Sequence, residues 1–309
     1  MWLEQINVVI LLLVSIFSNF AYETTKKYFS KNISKGNGSI FAFTSISCFI
    51  SAIVVFVAFG FDCKISTFTL ILALAYGAVM GGWWITSTLA VTMGPWAYTY
   101  VLMSLAMVIP TFSGAIFWNE KLSLIQIIGV IFVIACILLS VQYGGGEDCE
   151  NKKFNNKWLI VTLLSAFLSG MYGVIQKIHQ SNQTHKDELS MFLVVSMLFA
   201  MVFALVATLF YKKRAGNQET LFNNNGKHKN FYILLLVLFI AVGVSSSFME
   251  VINSYLSGAM DSAVLFPVFN GGSLMLVTIA SIILYKEKLS LQQWIGMGCG
   301  AVAIFCLCL

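Results

Sequence analysis

The stretch EKLSL occurs twice, at Glu120–Leu124 and again at Glu287–Leu291. The residues around the two copies agree as well, with WNEKLSLIQIIG at Trp118–Gly129 and YKEKLSLQQWIG at Tyr285–Gly296. A repeat at this spacing has to be interpreted first, because it bears on the architecture of the whole chain. The match predicts a chain made of two similar halves.

In each copy of the repeat, a serine is followed three residues later by a glutamine: Ser123 with Gln126, and Ser290 with Gln293. This S-x-x-Q pattern is a capping box, in which the two residues hydrogen-bond each other's backbone N–H groups at the start of a helix. We therefore interpret EKLSL as a helix-start signal. The glutamate of each copy is interpreted as structural, rather than as a catalytic or substrate-binding group.

The composition identifies the solvent of this chain as a lipid bilayer. Hydrophobic residues make up 59% of the sequence and charged residues 10%, whereas soluble domains carry about 25% charged residues. The mean hydropathy is +0.86. The net charge of +5 does not indicate nucleic-acid binding, because the basic residues lie in short connections between apolar runs, where they orient a membrane protein.

Ten apolar stretches are long enough to cross a bilayer, for which a helix needs about 20 residues. They cover residues 5–22, 39–61, 67–92, 95–118, 123–143, 157–179, 188–211, 231–257, 262–285 and 291–309. The copies of EKLSL precede the fifth and the tenth span, and Leu12–Lys27 in the first span aligns with Leu163–Ile178 in the sixth. The halves are therefore 1–150 and 151–309, with five spans each.

Because five is an odd number, the second half must enter the bilayer from the opposite side. We therefore predict an all-α integral membrane protein whose ten transmembrane helices form two inverted five-helix repeats. Transporters that work by alternating access are commonly built in this way, with the substrate site between the repeats.

Ten spans in two halves, each with an xE+LSxxQxxG turn before its last helix, resemble the drug/metabolite transporter superfamily, EamA-like branch. The stretch GPWAYTYVLMSLAMVIPTFSGAIF at Gly94–Phe117 resembles the fourth helix of that family. The resemblance implies a secondary transporter, an exporter or exchanger of small organic metabolites or drugs. It also implies that spans three, four, eight and nine line a central cavity. We expect a monomer or homodimer in the plasma membrane.

Span eight carries a polar stripe within GVSSSFMEVINSYLS, at Gly243–Ser257. Glu250 lies in this stripe with Asn253 one turn later, and an ionisable group inside a span costs about 2.5–3.5 kcal/mol even on the milder insertion scales. We therefore predict that Glu250 binds substrate, couples transport to protons, or does both. The alternative is an interfacial position or an ion pair with Lys26 or Lys177.

Further candidates are polar or aromatic residues on the other cavity-lining spans: Trp83 and Thr86 on span three, Tyr98, Tyr100 and Ser104 on span four, and Asn270 on span nine. The alignment of the two halves places Trp83 in span three opposite Glu250 in span eight. Because aromatic faces attract cations, this pair favours an amine, amino acid or amphipathic cation as substrate. Trp83 could equally be a packing residue. Asn270 either binds substrate or bonds a carbonyl freed near Pro267. Asn19 and Glu23 share a face of span one and are weaker candidates.

Three other classes of function would need features different from those of a carrier: a membrane enzyme, a lipid flippase and a non-transporting receptor or scaffold. A membrane enzyme would need a second acid or a histidine near Glu250, which the sequence does not offer, so we predict that the protein is not an enzyme. No Cys/His cluster has metal-ligand spacing, and we predict neither metal nor cofactor. Two alternatives stay open. A lipid-carrier flippase would show a lateral opening and a basic headgroup pocket, and a non-transporting receptor or scaffold would lack a cavity.

The sequence limits the energy source of transport, but it leaves open the orientation of the chain in the membrane. No Walker-type phosphate loop occurs, so a proton gradient or exchange is the expected driving force. Most of the 18 basic residues lie in connections on one side of the membrane. The positive-inside rule places that side in the cytoplasm, which would put both termini outside. The resemblance implies the opposite orientation, and the sequence leaves both open.

Overall fold

The computed structural model describes residues 5–59, 63–121, 123–129, 131–132, 135, 156–215, 222, 228–286 and 291–308. Ten helices have defined bounds: α1 (Val8–Asn32), α2 (Asn37–Phe59), α3 (Thr67–Met93), α4 (Trp96–Ser104), α5 (Val108–Trp118), α6 (Asn156–Ser181), α7 (Leu189–Ala215), α8 (His228–Ala259), α9 (Ser262–Tyr285) and α10 (Leu291–Cys308). No β-strand occurs in this described part, where Ser34 and Phe222 form an isolated bridge.

Eight helices within the described ranges are long and apolar enough to span a membrane. They match predicted spans one to four and six to nine, which confirms an all-helical, multi-pass membrane protein. Helix α10 stands where span ten was predicted, and residues 124–129 are helical where span five begins. Most of span five and the boundary at 150–151 lie outside the described residues. The total of ten spans and the inverted repeat stay predictions.

The first span extends well past its predicted end at residue 22, because α1 continues to Asn32. Lys26 and Lys27, which lie beyond the predicted end of the span, are buried within the protein, as is Glu23. They occupy the helix face that turns inward, so their charges face the protein interior rather than the lipid. A charge near the end of an apolar run therefore did not mark the end of the helix here.

Span four is a broken helix. Helices α4 and α5 are joined by the 3₁₀ turn Leu105–Met107, and together they form one candidate span over Trp96–Trp118. Pro110 lacks the N–H that would bond the carbonyl of Ala106, four residues earlier, and its ring clashes with that carbonyl. The break in the helix therefore lies one turn before Pro110, where the missing hydrogen bond falls.

The two halves of the chain interlock, because most close helix contacts join one half to the other. Helix α1 packs along α8, α3 packs along α6 and α7, and α2 packs along α7. Ser51 on α2 and Ser246 on α8 share a hydrogen bond of 2.7 Å. At Gly243 an added Cβ would lie 2.4 Å from the Ile50 Cγ2 atom, so this glycine permits the close approach of α8 to α2.

The first copy of EKLSL forms the capping box that its sequence predicts. The Ser123 backbone N–H donates to the Gln126 side-chain oxygen at 2.8 Å, and the Gln126 N–H donates to the Ser123 hydroxyl at 3.2 Å. Residues 287–290 of the second copy lie outside the described residues.

Glu120, which precedes this capping box, makes structural contacts. Its Oε1 atom lies 2.9 Å from the Lys177 Nζ atom, and its Oε2 atom accepts a 2.9 Å hydrogen bond from the Ser262 backbone N–H at the start of α9. Lys177 also donates to the carbonyl of Met260 at 2.9 Å. The glutamate of the first repeat thus ties the end of α5 to α6 and to the α8–α9 connection. These contacts agree with its structural interpretation.

Replacing Ser123 by alanine is expected to lower the free energy of unfolding by about 1 kcal/mol, because the capping bond to the Gln126 N–H is lost. The measurement is unfolding in detergent micelles, followed by circular dichroism. Ser245→Ala is the matched control, since the Ser245 hydroxyl donates within its own helix to the Ala241 carbonyl at 2.6 Å. An equal loss in both variants would contradict the capping role.

Candidate functional site

An internal cavity lies between α1, α3, α4, α5, α6, α8 and α9. Its polar wall is formed by Asn19, Glu23, Tyr100, Ser104, Asn253 and Asn270, and aromatic side chains of Trp83, Tyr172, Phe266 and Phe269 close it. The cavity volume is about 40 Å³. Since one water needs about 10–15 Å³ of such space, this conformation has room for a few waters. An organic solute would need the surrounding helices to move apart.

The structure brings five of the predicted site residues together on this wall: Trp83, Tyr100, Ser104, Asn253 and Asn270. Two others are placed elsewhere. The Thr86 hydroxyl donates to the Gly82 carbonyl of its own helix at 2.8 Å. The Tyr98 ring stacks on Trp158, with 5.9 Å between ring centroids. Neither side chain is among the described residues that line the cavity.

Glu250, the eighth predicted site residue, lies one layer behind the cavity wall. Its side chain is fully buried, and its Oε2 atom accepts hydrogen bonds from the Tyr76 hydroxyl at 2.8 Å and the Tyr172 hydroxyl at 2.6 Å. Its Oε1 atom has no hydrogen-bond partner among the described residues. Because Tyr172 also lines the cavity, a single side chain separates the Glu250 carboxyl group from it.

The alternative interpretation of Glu250, an ion pair with Lys26 or Lys177, is not what the structure shows. Lys26 pairs with Glu23 on its own helix, with 2.5 Å between Nζ and Oε1, and Lys177 pairs with Glu120. Hydroxyl groups rather than ammonium groups therefore surround Glu250. A carboxyl group held this way can be satisfied in either protonation state, because a tyrosine hydroxyl can both donate and accept.

Helix α1 contributes a polar face to the cavity. The Ser15 hydroxyl donates to the Asn253 side-chain oxygen at 2.9 Å, and the Asn19 side-chain amide donates to the Tyr100 hydroxyl at 2.6 Å. Glu23 continues this face and lies on the cavity wall. These contacts hold α1 against α8 and α4, so the weaker candidates of the sequence analysis occupy a central position.

The second half of the chain matches the model of a known family. Residues 156–309 match the model of the EamA-like transporter family. This chain belongs to that family. The family is part of the drug/metabolite transporter superfamily and its members are membrane transporters rather than enzymes. The match lies in the second half of this EamA-like protein, which holds Glu250, Asn253, Asn270 and Tyr172.

A solved structure is similar in fold to the EamA-like protein over 97% of the chain. A crystal structure of a protein superposes with a TM-score of 0.65 and 10% sequence identity, covering 97% of this chain and 95% of the other. At this identity the likeness shows the fold alone. No curated protein sequence matches the chain.

Two residues of this EamA-like protein were missed in the sequence, Tyr172 and Gln176 on α6. The Gln176 side-chain amide donates to the Tyr76 hydroxyl at 2.8 Å and to the Ser254 hydroxyl at 2.9 Å. The Tyr172 ring stacks on Tyr76 with 5.0 Å between centroids. Their spacing of four residues puts both on one helix face, and a search for polar stripes on α6 would have found them.

Asn270 has the backbone contact that was one of its two interpretations. Its side-chain amide donates to the Phe266 carbonyl at 2.8 Å, next to Pro267. It also lines the cavity of the EamA-like protein. The side chain therefore supports the helix around the proline from a position beside the cavity.

Proposed function

We propose that this EamA-like protein is a secondary transporter of small organic solutes, an exporter or exchanger in the plasma membrane that works by alternating access. The observation that carries the proposal is the cavity between helices of both halves, whose wall carries several polar side chains. Asn253, Tyr100, Ser104 and Asn270 supply hydrogen-bonding groups to the substrate, and Trp83 supplies an aromatic face. In this proposal the present conformation is occluded, and rocking of the halves opens the cavity to one side at a time.

The pattern of helix contacts supports an inverted repeat of 1–150 and 151–309. The aligned sequences pair α1 with α6 and α3 with α8. The contact of α1 with α8 then has its counterpart in the contact of α6 with α3, and both contacts are extensive. A two-fold axis in the membrane plane generates such exchanged pairs. Cavities at the interface of two such repeats are where substrates and coupling ions bind in transporters of this kind.

We further propose that Glu250 couples transport to protons. Its buried carboxyl group reaches the cavity through Tyr172, and its Oε1 atom has no hydrogen-bond partner in the described part of the chain. An acid inside a membrane protein costs free energy, and such groups commonly serve ion or proton pathways. Opening the cavity would expose Tyr172, and through it Glu250, to water from one side.

The test is transport by purified protein in liposomes that contain a pH-sensitive dye. Amino acids, nucleosides and polyamines are added outside, and at least one is expected to enter faster than into protein-free liposomes and to change the internal pH. Glu250→Gln is expected to reduce the coupled pH change at least tenfold while exchange of labelled solute persists. The matched control is Glu188→Gln, which removes a carboxyl group that bonds the Ser66 hydroxyl at 2.8 Å, away from the cavity.

Three results would contradict parts of the proposal. An unchanged proton flux in Glu250→Gln would exclude the coupling role. Transport of no solute, with movement of labelled lipid between leaflets, would favour the flippase. A flippase would need a basic side chain for a headgroup phosphate beside the groove between α1 and α8, which opens to the lipid. The described residues that line this groove are all uncharged: Val14, Phe17, Ser18, Ala21, Ile240, Ala241, Val244, Ser245 and Phe248. Movement of neither solute nor lipid would favour a receptor or scaffold.

A further inference from the structure

Glu23 is the charged side chain on the cavity wall. The other described residues that line the cavity are neutral, and Glu250 lies behind them without exposure. A ligand that enters the cavity would therefore meet the carboxylate of Glu23 directly and that of Glu250 only through Tyr172. Asn19, one turn earlier on α1, adds a carboxamide to the same face.

Lys26 already occupies this carboxylate. Its Nζ atom lies 2.5 Å from the Glu23 Oε1 atom, and its side chain is 0% exposed. Lys26 itself does not line the cavity. The ammonium group therefore approaches Glu23 from outside the residues that line the cavity.

Lys26 has a second place in which its charge is stabilised. The ammonium group donates to the Ser87 hydroxyl at 3.3 Å, and it lies 4.9 Å from the centroid of the Tyr22 ring. Aromatic faces and hydroxyl groups both stabilise a cation that is out of contact with water. Ser87 and Tyr22 therefore give the Lys26 ammonium group two partners other than Glu23.

The energetics of buried ion pairs decide what can replace Lys26 at Glu23. A buried carboxylate left without a cation is strongly unfavourable, and a solute cation would keep it paired. The displaced Lys26 ammonium would keep only Ser87 and Tyr22 as partners, and this cost weakens binding of the solute. The favourable replacement for the lysine ammonium is therefore another ammonium group. Trp83, Phe266 and Phe269 on the wall fit an apolar or aromatic body attached to it.

We propose that Glu23 is the cation-binding carboxylate of the cavity, and that Lys26 is a tethered counter-ion which a primary ammonium solute with an aromatic or apolar body displaces. The proposal rests on the proposed function in one respect, since the cavity is taken as the transport site. Glu23 thereby sets the charge that the cavity accepts, and Lys26 sets the affinity by competing for the same oxygen atoms.

The experiment uses tyramine, a primary ammonium on an aromatic ring, with binding measured by calorimetry in detergent micelles. Lys26→Met is expected to bind tyramine at least tenfold more tightly than the wild type, because the competing cation is gone. Glu23→Gln is expected to lose saturable binding. Each single variant should melt at a lower temperature than the wild type. The double variant Glu23→Gln/Lys26→Met should recover much of the melting temperature without recovering binding, which separates binding from folding.

Another buried ion pair in the described part of the chain, Glu120 with Lys177, gives the matched control. Glu120→Gln and Lys177→Met break a contact of 2.9 Å outside the cavity, so both should lower the melting temperature and leave the affinity for tyramine unchanged. Tyramine binding that survives in Glu23→Gln, or that is no tighter in Lys26→Met than in the wild type, would overturn the proposal. So would the absence of binding in both the wild type and Lys26→Met.

The failure of this proposal can be told apart from the failure of the proposed function. If another solute is transported and its flux is indifferent to Glu23→Gln, the carrier stands and the cation site is wrong. If tyramine binds with the expected pattern and no solute crosses the liposome membrane, the cation site stands and transport is wrong.

Discussion

Glu120→Gln is expected to lower the free energy of unfolding by about 3–5 kcal/mol, the usual cost of removing one partner from a buried ion pair. Both side chains of the Glu120–Lys177 pair are 8% exposed, so water cannot replace the lost charge. The Lys177 ammonium would keep its bond to the Met260 carbonyl and lose its counter-ion. The glutamine oxygen can still accept from the Ser262 N–H, which isolates the effect of the charge.

The measurement is reversible unfolding in mixed micelles, titrated with a denaturing detergent. Lys177→Met should cost a similar amount, since it leaves the Glu120 carboxylate unpaired. The double variant should be clearly more stable than the sum of the two single losses predicts, because neither buried charge is then left alone. Additive losses would show that Glu120 and Lys177 act independently, and a loss below about 1 kcal/mol would show that water reaches the pair.

Gly77→Ala is expected to lower the free energy of unfolding by about 1–3 kcal/mol, as is usual when extra volume is forced into a packed interior. An added Cβ would lie 2.5 Å from the backbone oxygen of Ser196 and 3.1 Å from the Phe199 Cβ atom. A backbone atom cannot rotate away, so α3 and α7 would have to separate. The loss is expected at the upper end of the range for this reason.

Gly298→Ala is the control for Gly77→Ala, because it makes the same chemical change in a helix. Apart from its own residue, its two chain neighbours and the adjacent backbone of α10, no described atom lies within 4 Å of its added Cβ. Alanine is favoured over glycine inside a helix by about 1 kcal/mol, so this variant is expected to be neutral or slightly more stable. Equal effects at both positions in the same detergent titration would contradict the close contact between α3 and α7.

The sequence predicted the features that depend on local pattern. Apolar runs gave the positions of the spans, and the S-x-x-Q spacing gave the helix start at Ser123. The partners of Glu120 could not be predicted, because the Ser262 N–H is 142 positions away and comes close only through packing of the two halves. For the same reason the hydroxyl of Tyr172 could not be assigned to Glu250, 78 positions along the chain.

The candidate site was predicted in part. The polar face of α8 was recognised, but the first span was predicted to end at residue 22, which left out the second part of the polar face of α1. Ser15, Asn19, Glu23 and Lys26 follow one another at steps of three and four residues, which is the period of a single helix face. Charged residues after an apolar run suggested a connection, and this outweighed the period. A regular spacing that continues through charged residues is the better guide to where such a helix ends.

The pairing of Glu23 with Lys26 on one helix also has an electrical consequence. Moving one elementary charge across a membrane potential of 100 mV changes its free energy by about 2.3 kcal/mol. The two side chains carry opposite charges only three residues apart, so they travel together and sum to zero. Any displacement of this part of α1 across the bilayer is therefore nearly insensitive to voltage, despite the two ionisable groups it contains.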